Sequence, residues 1–413
     1  NQEKRKATSA LRFFAFNCCT VNKLTTIRAM SKPTIPVIDV RQRPTVMTPE
    51  LRAIIAGLDL EGPVLDQLSR PLRDLRISVT DRCNFRCSYC MPKSVFTRDY
   101  TYLPQSDLLS FEEITTIAEA ATRLGVKKIR ITGGEPLLRK NLEILIAQLS
   151  ALRTTDGKPL DLTLTTNASL LKRKAQLLKD AGLSRLTVSL DALDDGIFRK
   201  MNDMDFPVVD VLEGIDTALA VGFKDIKVNM VVKRGTNVDQ IVPMARHFRG
   251  TGVALRFIEY MDVGASNGWR MDEVLPSADV LAMLQAQWPM VSLPAKSKGE
   301  TAKRYGYLDA SGADDASLGE VGFISSVTEA FCHECNRARL STDGRLFACL
   351  FATQGTDIKH LLRGEEPVNA DFVARYLAHT WMQRSDQYSA LRQAGVIPAG
   401  NASARIEMSY IGG

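Results

Sequence analysis

Three cysteines, Cys83, Cys87 and Cys90, lie in the run VTDRCNFRCSYCMP. Their C-x-x-x-C-x-x-C spacing puts three thiolates in one short loop, with no obvious fourth ligand. Three thiolates can hold three corners of a cubane iron–sulfur cluster and leave the fourth iron open for chemistry. A closed set of four ligands is usually structural. A zinc knuckle is the competing reading, but zinc takes a fourth tetrahedral ligand. The four histidines, His247, His333, His360 and His379, all lie far from this loop in sequence. A second set, Cys332, Cys335 and Cys349, is spaced C-x-x-C-x13-C. Between its last two members stands Asp343-Gly344, a favoured two-residue hairpin turn, which predicts that Cys349 folds back towards Cys335. In a regular hairpin about that turn, Arg337 and Arg339 face one side and Cys349 the other. His333 could close a zinc site here, although its position beside Cys332 makes that awkward.

These loops need elements to hold them. Candidate strands are Leu75–Thr80, Lys128–Thr132, Leu162–Thr166, Arg185–Leu190, Asp225–Val232 and Ala254–Tyr260, most of them β-branched or Leu-rich, as buried parallel strands are. Between them lie amphipathic stretches. One starts at Ser110 with Glu113 three residues on, a capping-box signature; others run near Leu142–Leu152, Leu170–Ala181, Val208–Val221 and Val238–Arg249. The alternation predicts an α/β fold, an incomplete (β/α)6 TIM-like barrel. Chemistry in such folds sits at the C-terminal ends of the strands. Here those ends carry Cys83, then Gly133, Gly134 and Glu135, then Thr165, Thr166 and Asn167, then Ser189 and Asp191, then Glu259 and Met261. From about residue 270 the pattern changes to a helix near Ser277–Gln287, short strands around Tyr305 and Val321, the hairpin, and a stretch over residues 357–398 that reads as helical and polar. This is a C-terminal α+β extension. The expected divisions are 1–69 as a basic arm and linker, 70–268 as the barrel and 269–413 as the extension carrying the second cysteine set.

The chain has 413 residues, 45% of them apolar, and a formal charge of +6. Lys4, Arg5, Lys6, Arg12, Lys23 and Arg28 stand against Glu3 alone in residues 1–29. Most of the excess is therefore an N-terminal feature and poor evidence for nucleic-acid binding. The N-terminal segment lacks an initiator Met, and Met30 is a plausible start; an upstream-misplaced start or a disordered arm is favoured over a transit peptide. No apolar run is long enough to span a membrane. Six of the eight cysteines fall in the two groups, with Cys18 and Cys19 in the arm. Such clustering fits metal binding in a reducing, cytoplasmic setting and not a disulfide framework.

The first spacing resembles that of radical S-adenosylmethionine (SAM) enzymes. Together RDLRISVTDRCNFRC, KKIRITGGEPLLR, CNRARLSTDGRLFACLF and the chain end MSYIGG resemble the GTP 3′,8-cyclase (MoaA) family, over roughly residues 70–413. That family performs the first step of molybdenum cofactor biosynthesis. The resemblance implies a radical SAM barrel with two 4Fe-4S clusters, one held by Cys83, Cys87 and Cys90 and one by Cys332, Cys335 and Cys349. It implies that Tyr89, Gly134, Ser189 and Met261 contact SAM. Arg76, Arg130, Thr165 and Lys227, with the stretch Arg337, Ala338 and Arg339, would contact GTP. Arg337 or Arg339 would also give electrostatic help to catalysis, and Gly412 and Gly413 would form a tail reaching into the site. GTP carries about four negative charges, which Arg and Lys suit. A flavodoxin or ferredoxin as electron donor, cyclic pyranopterin monophosphate synthase as the next enzyme, and a homodimer are implied likewise, with no nucleic acid and no membrane. Ala168 departs from the family's usual Gly, and Met201–Pro207 looks unlike the usual polar connection. A peptide-modifying radical SAM enzyme and a structural zinc protein are the alternatives.

Overall fold

The computed structural model describes residues 47–364, 368–397 and 405–412. The basic arm with Cys18, Cys19 and Met30, the linker to residue 46, and Gly413 lie outside the described residues. After helix α1 (Pro49–Ala56), strands and helices alternate: β1 (Asp74–Ser78), α2 (Phe111–Arg123), β2 (Lys128–Thr132), α3 (Leu142–Ala151), β3 (Asp161–Thr166), α4 (Leu171–Asp180) and β4 (Arg185–Ser189). They continue through α5 (Asp195–Asn202), α6 (Val208–Ala220), β5 (Ile226–Val232), α7 (Ile241–Phe248) and β6 (Ala254–Glu259). The expected strands all form. The capping box also forms: the Glu113 N–H donates to Ser110 Oγ at 3.1 Å, and the Ser110 N–H to Glu113 Oε2 at 2.7 Å. Ile114, Ile117, Ala118 and Ala121 on α2 are buried, which follows its 3.6-residue pattern.

The extension contributes α8 (Ser277–Gln285), β7 (Met290–Leu293), β8 (Lys303–Tyr307), β9 (Glu320–Ile324), β10 (Arg337–Leu340), β11 (Arg345–Phe347), β12 (Thr356–Asp357), α9 (Lys359–Leu362), α10 (Ala370–Met382), α11 (Tyr388–Gln393) and α12 (Met408–Ile411). Its strands join the same sheet. β10 pairs in parallel with β1, and β9 in parallel with β6, so the order is β12-β11-β10-β1-β2-β3-β4-β5-β6-β9-β8-β7. The sheet curls, because Arg76 on β1, Arg256 on β6, Ile324 on β9 and Arg337 on β10 all line one cavity. The strands are not uniformly apolar. On β5, Ile226, Val228, Met230 and Val232 are buried, while Lys227, Asn229 and Val231 between them are only half-buried. Side chains alternate along a strand, so one face packs the helices and the other faces the cavity.

Two expectations need correction, and a third segment gains a role. Ser341 N–H donates to the Arg345 carbonyl at 2.8 Å, so the hairpin loop is Thr342-Asp343-Gly344, three residues and not two. Gly344, at φ +86°, takes the left-handed position that such loops require. The extra residue pairs Arg339 with Phe347, so that Cys349, two residues beyond β11, follows the face of Phe347 and not that of Leu346. A one-residue slip exchanges the faces of a strand; hence Arg337, Arg339 and Cys349 line the same cavity. The stretch 357–398 is helical but not polar, since Val373, Ala374, Leu377 and Trp381 of α10 are buried. Met201–Pro207 has a packing role: Phe198 and Phe206 flank Phe85, and the Asn202 and Met201 carbonyls accept from the N–H groups of Arg86 and Ser88. It braces the first cysteine loop.

Ala168 sits at φ +62°, where a Cβ is strained and glycine is not. Ala168→Gly is therefore expected to stabilise the fold by about 0.5–1 kcal/mol. A denaturant midpoint that moves up at unchanged m-value checks this.

Candidate active site

The first cysteine loop follows β1 and is pinned from several sides. Phe85 N–H points at Cys83 Sγ at 3.4 Å, and Asn167 Nδ2 lies 3.9 Å from the same sulfur. Cys90 and Met91 N–H groups both turn back to the Cys87 carbonyl. Arg86 donates to the Cys83 and Phe85 carbonyls at 2.7 and 2.8 Å. Gly134 serves this loop directly: a Cβ there would stand 2.3 Å from the Arg82 carbonyl oxygen. The glycine thus lets the cysteine loop approach strand β2, and the Gly134 and Glu135 N–H groups bond to the Thr80 and Arg82 carbonyls, each at 2.8 Å. Glu135, fully buried, accepts from Thr166 Oγ1 and from the Asn167 and Leu137 N–H groups. Burial raises its carboxyl to about 7 against those donors.

Burial, with Glu135 adding to it, pushes the Cys83 thiol up to about 12. Burial raises Cys87 and Cys90 too, and the three sulfurs oppose one another's ionisation. A positively charged iron centre reverses that cost, since a coordinating thiol is deprotonated outright. Cys335 differs: burial raises it, but Arg337 and Arg384 outweigh burial and leave it near 7. Cys349 is pushed up to about 12 by burial and by Asp386. His333 is exposed. Among the described residues no three His, Cys, Asp or Glu converge as the ligands of a single ion do. A cubane takes one thiolate per iron, so its ligands need not converge on a point. Two half-buried sets of three free thiols, with an N–H group already aimed at a sulfur, fit such clusters.

Between the two sets lies a cavity with about 260 Å³ of water-accessible space. Cys332, Cys335 and Cys349 line it directly. The first set meets it through Tyr89, whose hydroxyl donates to Asp191 Oδ2 at 2.8 Å. Ser189 and Met261 line it as well. So do Arg76, Arg130, Thr165, Arg337 and Arg339. The sequence-predicted residues that do not line it are Gly134, Lys227 and Ala338, together with Cys83, Cys87 and Cys90. Ala338 is fully buried, packed in the apolar core on the far side of β10.

The interior is strongly cationic. Arg76, Arg130, Arg256, Arg337 and Arg339 line the cavity, against Asp191 and Glu259. Both carboxylates are occupied: Asp191 by Tyr89 and the Val231 N–H, Glu259 by the N–H groups of Ser277, Val327 and Thr328. Arg130 is aimed by Thr165 and Thr187, which accept from its Nη1 at 2.7 and 3.1 Å. Its Nε, the Arg76 Nε and Asn229 Oδ1 are buried without a hydrogen-bond partner among the described residues. Buried polar groups are normally satisfied, so these orphans mark where a polar ligand belongs. Burial lowers Arg76 to about 10 and holds Arg339 well below its ordinary value, with neighbouring guanidiniums adding to the effect.

Lys227 is lowered to about 7, first by burial and then by Arg256 and Arg185. Its folded value lies below its unfolded one, so the unfolded chain holds the extra proton between about pH 7 and 10.5. Lys227 therefore makes stability rise with pH across that window. Lys227→Met is expected to flatten this slope in a series of thermal midpoints measured from pH 7 to 10.

The chain end reaches the cavity. Met408 lines it, and Arg339 Nη1 donates to the Gly412 carbonyl at 3.0 Å. A Cβ at Gly412 would stand 2.2 Å from Thr132, so only glycine fits there. Sequence reasoning passed over Arg256 and Asn229 as site residues, and placed Asp191 on the rim without giving it a role. The strand alternation that places Lys227 inward also places Asn229 inward, and was the signal available for it.

Residues 77–248 match the family model described as the Radical SAM superfamily, and residues 253–390 the one described as Molybdenum Cofactor Synthesis C. Curated relatives carry the name GTP 3′,8-cyclase. The one from Acidothermus cellulolyticus is 46% identical over 370 residues, covering 85% of this chain and 99% of that protein. That of Xanthomonas axonopodis pv. citri is 47% identical over 354 residues, covering 86% and 100%. That of Staphylococcus epidermidis is 46% identical over 351 residues, covering 85% and 99%.

Proposed function

The chain belongs to the GTP 3′,8-cyclase family, and from that premise we propose that it converts GTP to (8S)-3′,8-cyclo-7,8-dihydroguanosine 5′-triphosphate, the first step of molybdenum cofactor biosynthesis. One observation carries the reading: a single cationic cavity joins the second cysteine set to Tyr89, Ser189 and Met261 beside the first. When bound, the first cluster would supply the one-electron reduction of SAM that opens hydrogen abstraction at the ribose 3′ carbon and so lets C3′ bond to C8; a second electron from the donor and a proton would complete the 7,8-dihydro product.

This chain's residues bind and aim. Tyr89, fixed by Asp191, with Ser189 and Met261, forms the wall for SAM, and Gly134 acts through the Cys83 loop. Arg76, Arg130 and Arg256 meet the triphosphate, with Lys227 behind them. Arg337 and Arg339 line the cavity beside the second cysteine set, where their charge would steady electron density developing on the guanine. Cys332, Cys335 and Cys349 would hold the second cluster at the cavity wall, where it would help to bind the base. Such positioning keeps a reactive radical next to one C–H bond. A flavodoxin- or ferredoxin-like donor, a homodimer, hand-off to cyclic pyranopterin monophosphate synthase and a reducing cytoplasmic setting complete the proposal; among the described residues no helix is long and apolar enough to cross a membrane.

The test is anaerobic incubation with GTP, SAM and a strong reductant, after loading to about eight irons per chain. The expected result is 5′-deoxyadenosine whose formation depends on GTP, together with the cyclised nucleotide. SAM cleavage indifferent to GTP but stimulated by a peptide would favour the peptide-modifying class instead. Cys349→Ala is expected to lower cyclised product far more than SAM cleavage.

A further inference from the structure

The second cysteine set rests on a buried charge triad outside the cavity. Asp66, Arg70 and Arg384 have side chains at most 2% exposed. Asp66 Oδ2 accepts from Arg70 Nε at 2.6 Å and from Arg384 Nη1 at 3.1 Å. Its Oδ1 accepts from the N–H groups of Leu68 and Arg70, each at 2.9 Å. Both arginines then reach the cysteine loop. Arg70 Nη1 donates to the Cys332 carbonyl at 2.8 Å, and Arg384 Nη1 to the Cys335 carbonyl at 2.7 Å. Arg384 Nη2 also lies 3.2 Å from Cys335 Sγ, within bonding distance for sulfur. The guanidinium is backed by the Trp381 ring, with a centroid distance of 4.6 Å.

We propose that Arg384 is a positioning residue for the second cluster: aimed by Asp66, it donates to the Cys335 sulfur and sets the reduction potential of the iron held there. The inference rests on that cysteine set holding a cluster. Hydrogen bonds to the sulfurs and local charge tune such potentials. Reduction adds negative charge, which a donor cation at the sulfur favours. Removing Arg384 therefore lowers the potential. Removing the charge of Asp66, which partly neutralises Arg384, raises it. A merely structural triad would not give opposite signs, because loosening it exposes the site in both cases.

The experiment uses the full chain with Cys83, Cys87 and Cys90 replaced by Ala, so that only the second cluster remains. Iron is counted first, and about four irons per chain are expected. Failure to load would sink the cluster reading itself, separately from the role of Arg384. The potential is then followed by electron paramagnetic resonance during redox titration. Arg384→Gln is expected to change the reduced-to-oxidised ratio at fixed poise roughly tenfold, about 59 mV towards negative potential for one electron. Asp66→Asn is expected to move it the other way. Arg384→Gln at the parent's potential, or Asp66→Asn at the same or a lower one, overturns the proposal. If one variant loses its iron, the other decides. If both do, pulsed resonance on 15N-arginine-labelled protein in which Arg337 and Arg339 are replaced by lysine decides: nitrogen coupling to the reduced cluster upholds the contact, and its absence overturns it.

Discussion

Gly134→Ala is expected to lose the first cluster while keeping the second. The added Cβ would stand 2.3 Å from the Arg82 carbonyl oxygen, 2.5 Å from its carbon and 3.0 Å from the Cys83 nitrogen. All three are backbone atoms, so no side-chain rotation relieves the contact. Either β2 or the cysteine loop must move, and the loop carries fewer restraints than a strand paired on both sides. Overpacking of this kind costs about 1–3 kcal/mol, which a large core tolerates. The chemistry is less forgiving. A displacement near 1 Å costs about a hundredfold in rate, and Cys83 begins at the clash. The expected measurement is iron falling from about eight to about four per chain, SAM cleavage down about a hundredfold or more, and helical circular dichroism unchanged. Full iron with unchanged SAM cleavage would mean that the loop and strand part without consequence.

What the sequence made legible was largely local. Cysteine spacing identifies itself where the thiolates share one loop, as Cys83, Cys87 and Cys90 do, whereas Cys349 reaches its set only across the hairpin. The six strands and the Ser110–Glu113 cap follow from patterns within a dozen residues. The hairpin register did not, because Asp343-Gly344 is compatible with loops of two residues or three, and one residue decides which face Cys349 takes. The choice of three is visible only once Ser341 is paired with Arg345. The polar interior was also hidden. Arg256 stands inside β6 between the buried Leu255 and Phe257, and only the curling of eight parallel strands makes it a neighbour of Arg130. The Asp66–Arg384 contact is hardest of all to read, since 318 residues separate its partners and neither lies in a motif. The family resemblance supplied the roles of Arg76, Arg130 and Lys227; the cavity and its orphaned donors give a physical reason for considering the two arginines, whereas Lys227 does not line it.

Arg130→Met should separate a ligand-binding charge from a structural one, because the two readings have opposite signs for stability. As a structural ion-pair residue, Arg130 would stabilise the fold. Its surroundings argue otherwise. Its direct partners are two neutral hydroxyls, Thr165 and Thr187. The carboxylate that acts on it most, Asp74, is already paired with Lys128 at 2.9 Å. Burial lowers Arg130, and Arg256 and Arg185 lower it further against Asp74; without an anion this cation is held at a cost. Methionine fills much of the same volume with no charge and adapts to irregular space. The ligand-free protein is therefore expected to melt higher in the variant, as happens where function keeps a destabilising group in place. GTP binding should move the other way. Losing a buried charged partner costs about 2–5 kcal/mol, or roughly thirtyfold to several thousandfold in affinity. Calorimetric titration of GTP into the anaerobic, iron-loaded protein reads the second effect, and thermal melts without nucleotide read the first. A variant that melts lower and still binds GTP would return Arg130 to the scaffold. One that melts higher and binds weakly ties the cationic barrel interior to the triphosphate.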